Sequence, residues 1–197
     1  MEDTYLTIPT SSEGLYKDKG SKFFSFAIPV STKEQVKEIV DEYRKKYHDA
    51  RHVCYAYRLN PANIETRAND DGEPSGTAGK PMLGVLVSQN VVNVLMIVVR
   101  YFGGTLLGTS GLIVAYREAS LDALAQNTVV EKKIEVSFCI SFGYLVMNDV
   151  MKVIKEENPT VLSQSFDNEC RMQLQIRQRD YERVQEKLKK IEGLSIE

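Results

Sequence analysis

Cysteine is scarce in this sequence. Cys54, Cys139 and Cys170 are the only three, far apart and without a CxxC pair. An odd, widely spaced set supports neither a disulfide framework nor structural zinc. The apolar or alternating surroundings of each predict a buried thiol, in keeping with a reducing cytoplasm. Long apolar runs are missing too. The longest, Val91–Val99, is interrupted by Asn93 and falls far short of the about 20 residues of a membrane-spanning helix, so no membrane association is expected. The start, Met1-Glu2-Asp3-Thr4, is acidic where a secretory leader is basic and then apolar, which predicts a cytoplasmic protein. A basic surplus is also absent. Lys and Arg number 25 against 27 Asp and Glu, for a net charge of −2. Sequence-independent binding of duplex DNA rests on many phosphate contacts and shows as basic excess, so that class is disfavoured. A local basic groove stays open, because net charge does not report distribution. No GxSxG, GxxxxGK[ST] or GxGxxG occurs, and no strong motif signals catalysis.

What is present is a globular α+β pattern, with 43% apolar residues, enough for a real core. Phe24, Phe26, Ile28 and Val30 alternate with small residues and predict a strand over Phe23–Val30. Ser31 and Glu34 form a capping-box pair that opens a helix from Thr32 to about Tyr47. Arg51–Leu59 reads as a strand, with Val53, Tyr55, Tyr57 and Leu59 on one side and His52, Cys54, Ala56 and Arg58 on the other. Asn60–Lys80 is a long polar loop of the kind that is often functional. Pro81 fits the first turn of a short helix. Val91–Val99 predicts a strand buried on both faces, followed by a glycine-rich turn to Gly111 and a helix to about Ala125. From Glu131 onward the order is β-α-β-β-α-β, the ferredoxin-like pattern. Its strands are Ile134–Phe142, Val161–Phe166, Cys170–Arg177 and Leu194–Ile196.

Two segments concentrate candidate chemistry. Asp70-Asp71-Gly72-Glu73-Pro74-Ser75-Gly76-Thr77-Ala78-Gly79 places three carboxylates in four positions. They can hold a cation or a basic group, or act as acid and base, with His52, Asp71 and Glu73 as the catalytic candidates; they also fit a solvated acidic turn. Arg100–Gly111 reads as strand, glycine turn and helix start, where backbone N–H groups can cradle a phosphate. Leu107-Gly108-Thr109-Ser110-Gly111 resembles the glycine-serine phosphate loop of galactokinase-type small-molecule kinases. The same glycines fit a turn required by tight packing. The geometry argues against a metal held by His48 and His52, because a helix end and a strand start separate them, and places His52 as a hydrogen-bonding residue beside the acidic loop. His52 and Cys54 lie about 7 Å apart along one strand face, too far for a dyad. Arg171, Gln173, Gln175 and Arg177 share one face of a predicted sheet, a polar surface without the stacking aromatics of an RNA-recognition motif.

Several stretches together resemble the YigZ/IMPACT family, in its bacterial YigZ type without the RWD domain. They are Ser21-Lys22-Phe23, His52-Val53-Cys54-Tyr55-Ala56-Tyr57-Arg58, Asp71 through Pro81, and Val98 through Gly108, followed by Gly111-Leu112 and Tyr116. They span most of residues 15–125, and the DGEPSGTAGxP and RYFGGxxLG stretches are highly specific. The resemblance implies a first domain over 1–130 with the fold of the second domain of small-subunit ribosomal protein five, of the left-handed β-α-β type also seen in domain IV of elongation factor G. A second, ferredoxin-like domain over 131–197 would resemble another domain of that factor. Eukaryotic members regulate the translational response to amino-acid starvation. The implied function is non-catalytic binding of RNA, the ribosome or a translation component, with no cofactor and no metal. An enzyme or nucleotide-binding protein using a phosphate-containing ligand, and a protein-interaction module, are the rivals. The expected ligand-binding residues are Lys22, His52 and Arg58 on the first strands, then Asp70, Asp71, Glu73, Ser75, Thr77 and Lys80 from the acidic segment. Arg100, Tyr101, Gly103, Gly104, Gly108 and Gly111 follow from the glycine turn. A buried-strand arginine is costly to leave unpaired, so Arg100 is expected to meet Asp71 or Glu73 and join the two segments into one site.

Overall fold

The computed structural model describes residues 3–197, which divide into two units, residues 5–132 and residues 133–197 together with Asp3 and Thr4. The first unit contains strands β1 (Thr4–Thr7), β2 (Ser12–Asp18) and β3 (Ser21–Pro29), helix α1 (Lys33–Lys46), strands β4 (His52–Leu59) and β5 (Glu65–Asn69), helix α2 (Gly79–Ser88), strand β6 (Val94–Tyr101), helix α3 (Gly108–Ala125) and strand β7 (Val130–Lys133). Five strands form a sheet in the order β2-β3-β6-β4-β5 with every neighbouring pair antiparallel; β1 and β7 make a separate two-stranded ribbon.

Strand β6 occupies the centre, and its apolar run is buried on both faces. Met96 and Val98 face the core shared with Met82 and Leu86 of α2 and Leu112 and Tyr116 of α3. Leu95, Ile97 and Val99 face Val36 and Val40 of α1. The two-sided hydrophobic run is the physical reason this strand lies between helix layers. The alternation read for Arg51–Leu59 also holds, with Cys54 and Ala56 on the α2/α3 face and Val53, Tyr57 and Leu59 on the α1 face.

Several boundaries differ from the sequence reading. The cap of α1 is Thr32, whose hydroxyl accepts from the Gln35 N–H. Gln35 Oε1 accepts from the N–H and hydroxyl of Ser31, the residue before the cap, so the cap lies one residue later than the Ser31/Glu34 expectation and Gln35 rather than Glu34 reaches back. The loop expected over Asn60–Lys80 contains β5. Asn93 adopts a left-handed φ of 60°, which separates Val91 from β6 and turns it towards an isolated bridge with Leu6. Helix α3 begins at Gly108 rather than after Gly111. No strand was expected before Phe23, where β1 and β2 stand.

The second unit contains strand β8 (Glu135–Phe142), a short 3₁₀ turn (Tyr144–Val146), helix α4 (Met147–Glu157), strands β9 (Thr160–Phe166) and β10 (Cys170–Arg177), helix α5 (Gln178–Lys189) and strand β11 (Leu194–Ile196). Its sheet runs β11-β8-β10-β9, antiparallel throughout. Phe138, Ile140, Phe142, Met172, Leu174 and Ile176 pack on Val150 of α4 and on Val184 and Leu188 of α5, so one face is covered and the other open. Helix α4 ends where Asn158 takes a φ of 50°, just before Pro159. The same alternation exposes Cys139 while Cys54 and Cys170 are buried, which corrects the expectation that all three thiols are enclosed.

Candidate functional site

Antiparallel pairing sets Phe23, Arg100 and His52 side by side on adjacent strands β3, β6 and β4. Arg100 is the first polar residue after the apolar run of β6, and it is only 6% exposed. Its guanidinium stacks between Phe23 and Phe102, with Cζ 5.5 and 5.7 Å from the ring centroids. Nη1 donates to Glu73 Oε1 at 2.6 Å. The expected union of the two segments is therefore present, and Glu73 is the partner rather than Asp71. Glu73 itself is almost fully buried. Its Oε1 also accepts from the Tyr116 hydroxyl at 2.8 Å, and its Oε2 lies 3.8 Å from His52 Nε2. His52 Nδ1 sits 2.7 Å from the carbonyl oxygen of Asp71, which assigns the Nδ1 proton to that bond. Behind this group, the Cys54 thiol lies 3.0 Å from the Asp70 carbonyl oxygen and 3.4 Å from the Tyr116 hydroxyl. Burial, the largest cause, pushes both the Cys54 thiol and the Tyr116 phenol well above their ordinary values. Cys54 is thus a neutral packing group and not a thiolate nucleophile.

The other two carboxylates of the acidic loop have separate duties. Asp70 Oδ1 accepts from the N–H groups of Ala78 and Gly79 at 3.1 and 2.8 Å, and Oδ2 accepts from Gly76 N–H at 2.8 Å. Ala78, at the N-cap position of α2, has no capping side chain, so Asp70 caps the helix from eight residues upstream. Asp71 accepts from Val53 N–H at 2.7 Å and pairs with Arg44 at 3.0 Å. Of the readings of the loop, the holding of a basic group describes Glu73, on Arg100, and Asp71, on Arg44, whereas Asp70 serves backbone N–H groups. Among the described residues no three His, Cys, Asp or Glu side chains converge as a metal site.

Arg100, His52 and Glu73 line a cleft of about 430 Å³ with Arg51, Pro74, Phe102, Leu106, Leu107, Gly108, Thr109 and Leu112. A second cleft adjoins it, lined by Gly20, Lys22, Phe24, Tyr47, Tyr101 and Phe102. Phe102 is a wall of both. Tyr101 donates to Asp49, and burial and that contact push its phenol up to about 12. Lys22 and Tyr101 therefore belong to the second cleft.

Other expected site residues stand elsewhere. Arg58 is at the far end of β4, six residues or about 20 Å from His52, where it is buried and donates to the carbonyls of Leu86 and Val91. Its role is to close the end of α2, so Lys22, Arg51, Arg58, Lys80 and Arg100 do not make one continuous basic groove. Lys80 and Ser75 are exposed outside both clefts. Thr77 donates to Pro74 O and closes the loop. Gly103 N–H is already engaged by Ser21 Oγ, and a Cβ there would fall 2.0 Å from the backbone carbon of Gly20, so this glycine exists for close packing. Gly104 is exposed at the bend between Phe102 and α3, and Gly111 lies within the first turn of α3. Gly108 opens α3 with a φ of 73°, a conformation that favours glycine. Pro74, Phe102, Leu106, Thr109 and Leu112 line the cleft without being expected as site residues. Phe102, next to Arg100, was the one with a visible signal, an aromatic residue in a turn where a core is not expected.

The model of the Impact N-terminal domain matches residues 19–124. The IMPACT family member YvyE of Bacillus subtilis is 35% identical over 156 residues, 79% of this chain and 72% of its own length. The IMPACT family member YigZ of Escherichia coli is 32% identical over 150 residues, 75% of this chain and 74% of its own length. A crystal structure described as a hypothetical protein superposes with a TM-score of 0.76 at 26% identity, covering 100% of this chain and 97% of that one. No helix among the described residues is long and apolar enough to cross a membrane.

Proposed function

The chain belongs to the IMPACT family, and from that membership we propose that it is a non-catalytic regulator of translation that binds single-stranded RNA, free or on the ribosome, across the two adjoining clefts. The observation that carries this reading is Phe102. It is 44% exposed, it is shared by both clefts, and it has Arg100 against one side and the Phe24–Tyr101 pair beside it. A partly exposed ring flanked by other aromatics and by Lys22, Arg51 and Arg100 suits stacked bases with phosphates alongside, and each base stacked on an aromatic contributes about 1–3 kcal/mol. Few cations line the path, so the salt dependence should be shallow. Three phosphate contacts would give a slope of about −2 for the logarithm of the association constant against the logarithm of salt concentration.

The finer fold assignments belong to the same proposal. The first unit would have the fold of the second domain of small-subunit ribosomal protein five, and the second a ferredoxin-like fold, for which the β11-β8-β10-β9 order and the β-α-β-β-α-β succession are the support. Domains of about 1–130 and 131–197 and a cytoplasmic location go with it. A second reading, docking of a translation-related protein, draws on Leu106, which is 81% exposed beside Phe102.

Fluorescence anisotropy with a labelled 12-nucleotide single-stranded RNA in low salt tests the first reading. Phe102→Ala should weaken binding about 5- to 150-fold. No binding by the parent protein, or equal binding by the variant, would remove the support for RNA.

A further inference from the structure

The cleft behind Phe102 holds more donor capacity than the protein itself uses. Arg100 carries five N–H donors, yet Nη1 is the one engaged, by Glu73, and Nε is buried without a hydrogen-bond partner. The same cleft is lined by Gly108 and Thr109, the first residues of the 18-residue helix α3. No side chain caps that helix, and its first turn has no acidic residue. The positive end of the helix dipole and the Arg100 guanidinium, with Nη1 alone engaged by a side chain, thus line one space. Arg51 lines it as well. Of the charged groups lining the cleft, Glu73 is the one anion, and its Oε1 is already occupied by Arg100 and Tyr116. Two guanidinium charges less one carboxylate leave one positive charge, and the helix end adds about half a charge more. His52 Nε2 is the remaining titratable group on that wall.

We propose that this cleft is a phosphate-monoester subsite that takes the 5′-phosphate of a nucleotide, with Arg100, Arg51 and the first-turn N–H groups of α3 on the phosphate and Phe102, Leu106 and Pro74 against the attached nucleoside. The charge match favours a monoester, which carries about −1.5 to −2 at neutral pH, over an internal phosphodiester with one charge. Planar guanidinium and converging backbone N–H groups fit the several oxygens of a terminal phosphate. A volume of about 430 Å³ lies within the range of small-molecule sites, about 300–1,000 Å³. The inference rests on the RNA reading only in part: the phosphate belongs either to the 5′ end of an RNA or to a free mononucleotide.

The test uses the full chain and 3′-labelled eight-nucleotide RNA with either a 5′-phosphate or a 5′-hydroxyl, and adenosine 5′-monophosphate as competitor. Thr109→Asp is the variant. A carboxylate in the first turn suits the helix dipole, so the fold is retained while the phosphate is repelled; thermal unfolding checks this. Arg51→Ala serves as a second, exposed variant. The 5′-phosphorylated RNA should bind on the order of tenfold or more tightly than the 5′-hydroxyl form, with the preference lost in Thr109→Asp and reduced in Arg51→Ala. Binding of adenosine 5′-monophosphate without any RNA binding, again lost in Thr109→Asp, assigns the free nucleotide as the source and sinks the RNA reading alone. Equal binding of both RNAs without competition overturns the subsite and leaves the RNA reading standing. No binding of any probe overturns both.

Discussion

Removing the carboxylate of Asp70 should loosen the wall of the cleft without touching its lining. Asp70 receives three backbone N–H groups, those of Gly76, Ala78 and Gly79. Ala78 and Gly79 are buried, so water cannot easily replace the lost acceptor. Two of the three bonds are the cap of α2, and loss of a cap costs about 1–2 kcal/mol. The third holds the loop at the half-buried Gly76 and adds about 1 kcal/mol. Asp70→Ala is therefore expected to cost about 2–3 kcal/mol, which corresponds to a faster local opening by a factor of about 30–150. Asp70→Asn keeps one carbonyl acceptor and should lose about half as much. Hydrogen exchange of peptides covering 68–88 reads the local effect, and urea denaturation with an unchanged m-value reads the global one. Peptides from β9 and β10, in the other unit, supply the control. If Asp70→Ala leaves residues 76–82 as protected as in the parent, within about a factor of three, then the remote cap carries no energy and the loop is held by Glu73 and Asp71 alone.

Three further outcomes follow from the geometry. Glu73→Leu leaves Arg100 charged, buried and unpaired and should cost about 3–5 kcal/mol, whereas Glu73→Leu with Arg100→Met should recover most of it; a double-mutant cycle by urea denaturation measures the difference. Iodoacetamide applied to the native protein near pH 8 should modify Cys139 and spare Cys54 and Cys170, because only Cys139 is exposed and burial raises the Cys54 thiol; peptide mapping by mass spectrometry decides it, and prompt labelling of Cys54 would contradict the enclosed network. Hydrogen bonds from Lys187, and then Arg183, hold the Glu157 carboxyl below its ordinary value of 4.5, so its contribution is present above pH 4.5 and is lost as the pH falls through the lowered folded-state value. Glu157→Gln should accordingly be less stable than the parent at pH 7 and converge with it in strong acid, as seen by thermal unfolding across pH.

Elements that bury a patterned face could be read from the sequence. β8 and β10 alternate strictly because one side of their sheet is covered, and β6 is a continuous apolar run because both of its sides are. β5 left no such mark. Its residues Glu65–Asn69 are mostly exposed, and it is held as an edge strand by backbone pairing with β4, which side-chain pattern does not encode. The cap of α1 was displaced by one residue because Ser31 and Thr32 both suit the position. Within the site, the meeting of Arg100 with the acidic loop could be argued from the cost of an unpaired buried guanidinium. That Glu73 and not Asp71 would be chosen could not, since the choice depends on Tyr116, 43 residues further on, and on Asp71 being drawn to the N–H of Val53. The three carboxylates look equivalent in sequence, and the tertiary donors around them make them different.

The position of Arg100 on β6 has a kinetic consequence for whatever enters the cleft. A central strand hydrogen-bonded on both sides and enclosed by two cores belongs to the part of a protein that opens last, while exposed loops open first. Arg100 inherits the rigidity of that strand, and His52 and Phe23 share it through their pairing. The opposite side is different: Gly103 is pinned to Ser21 and Gly20, and beyond it Gly104, Thr105 and Leu106 are exposed. An arriving ligand meets one jaw that is fixed and one that yields. Its rate of capture should then follow the motion of residues 104–106, and its orientation once bound should be dictated by the strand.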